Sequence, residues 1–156
     1  MIRNATVDDL PEILAMIGEL AEYEKALDEV RVTGDQLRAA LFGPSPAAYA
    51  HIAESPDGRV VGYSVWFLSF STWRGVHGIY LEDLYVRPTE RGGGYGKALL
   101  TELARTCVQR GYQRLEWSVL KWNRPSIDFY ESLGARPQDE WDVYRLTDNA
   151  LEELGS

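Results

Sequence analysis

The spacing of hydrophobic residues changes several times along this chain, and each change marks an element. Leu10, Ile13, Leu14, Ile17, Leu20 and Ala21 recur every three or four positions, which predicts an amphipathic helix over Asp8 to Lys25. Ile2 to Val7 before it reads as a short strand. Thr33 is placed to cap a second helix over Asp35 to Phe42, and Gly43-Pro44-Ser45-Pro46 forms the loop after it. Tyr49 to Glu54 and Val60 to Phe70 predict a hairpin around Ser55-Pro56-Asp57-Gly58. Val76 to Val86 is apolar on both faces, the pattern of a central strand covered on each side. A helix over Ala98 to Gln109, ending near Gly111, comes next. It is followed by a strand over Arg114 to Val119, a helix over Pro125 to Leu133 closed by Gly134 and a last strand over Trp141 to Leu146. The order predicts a mixed sheet with helices on both faces.

Between the central strand and the helix that follows lies Arg91-Gly92-Gly93-Gly94-Tyr95-Gly96. A glycine-rich turn opening a helix lets bare backbone N–H groups approach a phosphate, and the helix dipole adds positive potential there. Glycine tolerates the left-handed dihedrals of such a loop and removes the Cβ atoms. Spacing excludes two familiar versions. The dinucleotide fingerprint needs glycine where Lys97 stands, and the nucleotide P-loop needs glycine at Arg91 and a hydroxyl residue at Ala98. A tight strand-to-helix turn without a ligand is the alternative.

Whole-chain numbers narrow the classes. With 156 residues the chain is one ordinary domain, residues 1–156, large enough to fold without disulfides. Its single cysteine, Cys107, lies on the helix after the glycine loop and reads as a packed core thiol, in keeping with a reducing cytoplasm. The start, Met1-Ile2-Arg3-Asn4, lacks the basic and apolar regions of a secretory signal. The longest apolar stretch, Val60 to Leu68, is too short for the roughly 20 residues a bilayer crossing needs. Two histidines without ligand spacing give no metal site. A net charge of −8 disfavours nucleic acid and is compatible with a cationic substrate.

Two further segments carry chemistry. Glu82 and Asp83 sit inside the apolar strand. Neighbours in a regular strand face opposite ways, so at least one carboxylate is expected to be desolvated unless a cleft opens there. A β-bulge would change where they point, and an ion pair with an arginine such as Arg114 is the purely structural alternative. Perturbed carboxylates cluster at sites. Downstream, Asn123 is placed as a helix N-cap with Pro125 in the first turn. Ser126 and Tyr130, four apart, share a helix face.

Three stretches, taken in order, carry a family resemblance: Tyr80-Leu81-Glu82-Asp83, then Arg91-x-x-Gly94-x-Gly96, then Trp122-Asn123-x-Pro125-Ser126-Ile127-x-Phe129-Tyr130. The chain resembles the GNAT superfamily of acyl-coenzyme A N-acyltransferases, in its diamine branch, which includes spermidine/spermine and thialysine acetyltransferases. The likeness extends from Ile2-Arg3 through Tyr23-Glu24 to Gly134-Ala135. It implies the α+β GNAT fold, a mixed, mostly antiparallel sheet in three α-β-α layers. It also implies acetyl-CoA as cosubstrate, a small-molecule amine as acceptor, and a homodimer; the cysteine content, the net charge and the short apolar stretches add the expectation of a cytoplasmic protein with neither a nucleic-acid nor a membrane partner. By resemblance, Leu84, Tyr85 and Val86 would line the thioester and pantetheine. Arg91, Gly92, Gly93, Gly94, Tyr95, Gly96 and Lys97 would hold the pyrophosphate. Asn123, Pro125 and Ser126 would meet the pantetheine arm. Tyr23, Glu24, Glu82 and Asp83 would face the amine, and Tyr130 would be the general acid. The segment Arg136 to Asp142 is shorter than in polyamine enzymes, which leaves an acidic contact at Asp139 or Glu140 open.

No Cys-His or Ser-His pair suggests a covalent route, so direct attack of the amine on the thioester is expected. An amine of pKa about 10.4 costs roughly 4–5 kcal/mol to deprotonate at pH 7. Glu82, directly or through water, is the candidate base, and strand amides near Val86 are candidate oxyanion donors. Phenol-to-thiolate proton transfer runs uphill by about 2 kcal/mol from ordinary values, so Tyr130 either donates its proton or only hydrogen-bonds the sulfur. The alternatives are acetylation of another amine, xenobiotic or protein, and a non-catalytic acyl-CoA sensor.

Overall fold

A computed structural model describes all 156 residues. The chain forms β1 (Ile2–Asn4), α1 (Leu10–Tyr23), α2 (Gly34–Phe42), β2 (Tyr49–Glu54), β3 (Val60–Ser71) and β4 (Val76–Val86). It continues with α3 (Tyr95–Arg110), β5 (Leu115–Glu116), α4 (Arg124–Ser132) and α5 (Asp148–Gly155). Contacts divide it into two compact units, Met1–Ser118 and Val119–Ser156.

The first unit holds a five-stranded sheet in the order β1-β2-β3-β4-β5. Pairing is antiparallel except between β4 and β5. Alternation sends Ile52, Tyr63 and Tyr85 to one face, where Leu10, Ile13 and Met16 of α1 and Leu37 and Leu41 of α2 cover them. Ala53, Leu84 and Val86 go to the other face, against Leu99 of α3. These are the three α-β-α layers the resemblance implied.

Local chemistry explains the helix starts. Thr33 accepts from the Gln36 N–H at 3.1 Å, and the Gln36 side chain accepts from the Thr33 N–H at 3.0 Å, a reciprocal cap that fixes the start of α2. At α1 a 3-10 turn over Val7–Asp9 precedes the helix, so β1 ends at Asn4 rather than Val7. Asp9 is spent there. It accepts from the Thr6 N–H at 2.8 Å and takes two guanidinium N–H bonds from Arg3 at 2.8 and 2.9 Å. Arg3 Nε donates to Glu54 at 2.8 Å. One arginine thus ties β1, the entry to α1 and the end of β2. Cys107 is buried with Sγ 3.6 Å from the Arg114 carbonyl, and burial pushes its thiol up, as a core cysteine should behave.

Two strand expectations need correction. β5 is two residues long instead of running from Arg114 to Val119, because it pairs only with Ile79 and Tyr80 before the strands part. Trp141 to Leu146 forms no strand. Its aromatic and β-branched composition suits a ladder, but a strand exists only where another strand pairs with it. Val143 and Tyr144 instead stand exposed. The helix α5 that follows was not anticipated.

The Arg3 guanidinium holds the Asp9 carboxyl below the usual carboxylate range. Such a group stabilises the fold above its unfolded value, and that contribution is lost as pH falls through its folded value. Asp9→Asn is therefore expected to cost about 2–3 kcal/mol at pH 7, a fall in Tm of about 5–10 °C. Thermal melts of variant and parent should converge as the medium is acidified well below pH 4.

Candidate active site

The site begins with one extra residue. Val65 pairs with Asp83, but the next residue of β3, Trp66, pairs with Leu81. Glu82 is the extra residue of a β-bulge at this register shift. The bulge makes Glu82 exposed while Asp83 turns inward, half-buried, on the face that carries Tyr63 and Tyr85.

The bulge also separates a paired stretch of β4 from an open one. The parallel ladder to β5 covers Ile79 and Tyr80 only, and no strand pairs with that edge of β4 afterwards. The Arg87 N–H donates to Val61 O at 2.8 Å across the β3 side. Alternation in an antiparallel ladder then directs the backbone groups of Leu84 and Val86 to the opposite, open edge. Their side chains pack with Leu99, and Tyr85 is buried against α1. What these residues can offer a ligand is therefore backbone.

Asp83 and Glu24, the latter at the end of α1, form an uncompensated pair. The Asp83 hydrogen bond comes from the Tyr63 hydroxyl at 2.8 Å, and no cation is paired with it. Burial pushes the Asp83 carboxyl above its ordinary range, against the pull of the Tyr63 bond. Glu24 is raised by burial first and by the Asp83 charge second. The structural alternative, an Asp83–Arg114 ion pair, is not what forms. Tyr85 donates instead to Glu19 at 3.0 Å, and Arg87 bridges Glu12 and Glu19 at 2.7 and 3.3 Å.

The glycine loop reaches the same region through Arg91. Its Nε donates to Val86 O at 3.0 Å, and its guanidinium lies 5.5 Å from the Tyr23 ring centre and 5.6 Å from that of Tyr85. Gly92 and Gly94 have φ of +86° and +83°, the left-handed region that favours glycine. Gly94 caps α3 without a side chain. The first helical turn, Tyr95, Gly96 and Lys97, carries no acidic side chain, and its amide N–H groups have no partner within the helix.

The remaining expected residues belong to the second unit. Asn123 is buried and caps α4, accepting from the Ser126 N–H at 3.4 Å, with Pro125 in the first turn as expected. Ser126 and Tyr130 are both half-buried on that helix, and the Tyr130 ring packs 5.6 Å from Phe129.

Residues 13–135 match the family model described as Acetyltransferase (GNAT) family. The chain belongs to that family. As a GNAT protein it is an N-acetyltransferase. It is 40% identical to a thialysine N-epsilon-acetyltransferase of Bos taurus over 99% of this chain and 96% of the bovine protein. It is 30% identical to an L-ornithine N5-acetyltransferase of Arabidopsis thaliana over 98% of this chain and 86% of that one. An integron cassette protein from the mobile metagenome of V. cholerae shares the fold. Its TM-score is 0.81 at 24% identity, covering 99% of this chain and 96% of the other.

Acetyl-CoA, which the GNAT family uses, is a good chemical fit to the first unit. A diphosphate suits left-handed glycines followed by an acid-free helix start. Pantetheine amides suit an open strand edge. Two residues beside these features are not singled out by the sequence, Tyr63 and Arg87, and Glu19 enters the family resemblance only as part of the stretch Glu19-Leu20-Ala21-x-Tyr23-Glu24, without a role. Only the strand register and the docking of α1 bring them there, and no local motif announces them.

Gly94→Ala gives a direct measure of the loop's backbone demand. An added Cβ meets nothing within 4 Å, so any cost comes from φ alone. Urea denaturation should show a loss of about 1–2 kcal/mol, and calorimetry a severalfold weaker affinity for coenzyme A.

Proposed function

We propose that this GNAT enzyme transfers the acetyl group of acetyl-CoA to a primary amine of a small diamine, polyamine or basic amino acid. The observation that carries this reading is that Asp83 and Glu24, both half-buried, form no ion pair with an arginine or lysine beside the open edge of β4. Buried like charges are costly unless something neutralises them, and a cationic amine does so. The thialysine and ornithine activities named for the relatives fit such a substrate.

Acetyl-CoA supplies the activated acyl group, and the first unit holds it at its diphosphate by Arg91 to Lys97 and at its pantetheine by Leu84 to Val86. In the second unit Asn123, Pro125 and Ser126 are the residues assigned to the cosubstrate. Tyr23, Glu24 and Asp83 hold the amine by its charge. Glu82, exposed on the bulge, takes the ammonium proton, which makes attack possible at neutral pH. Tyr130 hydrogen-bonds the departing sulfur. The amine attacks directly, with no acyl-enzyme. A homodimer is part of the same reading, supported by the exposed apolar run of Trp141, Val143 and Tyr144, and a cytoplasmic location fits the single, buried cysteine. The net charge of −8 speaks against a nucleic-acid partner.

Thiol release from acetyl-CoA with putrescine, spermidine, ornithine, lysine and thialysine tests the reading. At least one should be turned over well above the rate with water. Coenzyme A binding without acetylation of any amine would instead identify an acyl-CoA sensor. Two variants test the assigned roles. Tyr130→Phe should lower kcat at least tenfold at saturating substrates, and unchanged turnover removes Tyr130 from the chemistry. Glu82→Gln should lower kcat about a hundredfold, most severely near neutral pH. An unaltered pH–rate profile removes Glu82 as base.

A further inference from the structure

Asp83 is held by a residue the reading above leaves without a role. Tyr63 is 0% exposed in β3, diagonally across the ladder from Asp83 on the face that α1 and α2 cover. A phenol this deep needs a partner for its O–H, and it donates to Asp83 Oδ2 at 2.8 Å. Its neighbour Tyr85, with ring centres 6.4 Å apart, is turned to Glu19 instead. Two adjacent tyrosines thus serve different carboxylates, and only the deeper one reaches the bulge.

We propose that Tyr63 is a positioning residue whose buried hydroxyl fixes the Asp83 carboxylate, and thereby sets the affinity for a cationic amine that Tyr63 itself does not touch. This rests on the amine-acetyltransferase reading. The groups around Asp83 define the effect. Glu24 approaches from the end of α1, Tyr63 donates from β3, Tyr85 lies two residues on along β4, and Glu82 is the chain neighbour on the bulge. Arg91 is occupied with the rings of Tyr23 and Tyr85. Tyr63 is therefore the one group the structure gives Asp83 that favours its charged form. Without the hydroxyl, burial acts unopposed, Asp83 takes up its proton at higher pH, and the cation loses its counter-charge.

Tyr63→Phe keeps the ring and removes only the hydroxyl. The test uses putrescine or ornithine, whichever the parent enzyme acetylates. The amine KM is expected to rise about tenfold, with kcat within about twofold and the KM for acetyl-CoA unchanged. The acid limb of kcat/KM for the amine should move up by about one pH unit. In an Asp83→Asn background Tyr63→Phe should add nothing, since the hydroxyl acts through the charge it no longer meets. A folded Tyr63→Phe enzyme with unmoved amine KM and acid limb overturns the proposal, and so do additive losses in the double variant. If Tyr63→Phe does not fold, 3-fluorotyrosine at position 63 makes a stronger donor and should move the limb downward; an unmoved limb overturns it equally. A parent enzyme inactive on every amine defeats the functional reading and this one with it. An active parent matched by its variant defeats this one alone.

Discussion

The register of β4 against β3 skips Glu82, and the geometry of the first unit's candidate site follows from that shift. A regular strand would send Glu82 and Asp83 to opposite faces, one of them into the layer under α3. The bulge spares the molecule that burial. Glu82 is exposed, Asp83 joins the face of Tyr63 and Tyr85, and beyond this point β4 has no strand partner on the side where β5 had paired. An open edge inside a sheet is normally a liability. Here it is a row of backbone donors and acceptors next to a helix start that repels no anion, which is what a GNAT enzyme needs for a long, polar acyl carrier.

Charge is divided between two neighbouring groups of residues. Glu12 and Glu19 are satisfied by Arg87 and Tyr85 and belong to the scaffold. Glu24 and Asp83 have no such ion pair, and burial pushes both carboxyls above their ordinary range, with the Asp83 charge adding to the rise at Glu24. Arg91 is rooted on Val86 at the start of the loop, with its guanidinium over the rings of Tyr23 and Tyr85. Arg91 thus ties the glycine loop to the aromatic rings at the end of α1 and on β4.

The scaffold that presents these groups is stabilised at its far end by Arg3. Its fork to Asp9 and its bond to Glu54 join the first strand, the entry to α1 and the second strand. The direction of α1 decides where its last residues, Tyr23 and Glu24, arrive.

The sequence by itself determined what local rules control. Apolar spacing located α1, and Thr33 located the start of α2. The turn residues at 55 to 58 set the hairpin, and the glycines of the Arg91 loop marked the turn that opens α3. Those signals were legible because each depends on residues within one or two turns of one another. The tertiary structure decided everything that depends on a neighbour far along the chain. It chose which of Glu82 and Asp83 is buried, since only the register with β3 shows where the extra residue falls. It gave Tyr63 to Asp83 and Arg87 to Glu19 across separations no motif spans. It shortened β5 and left Trp141 to Leu146 without a ladder, because a strand's hydrogen bonds belong to its partner as much as to itself.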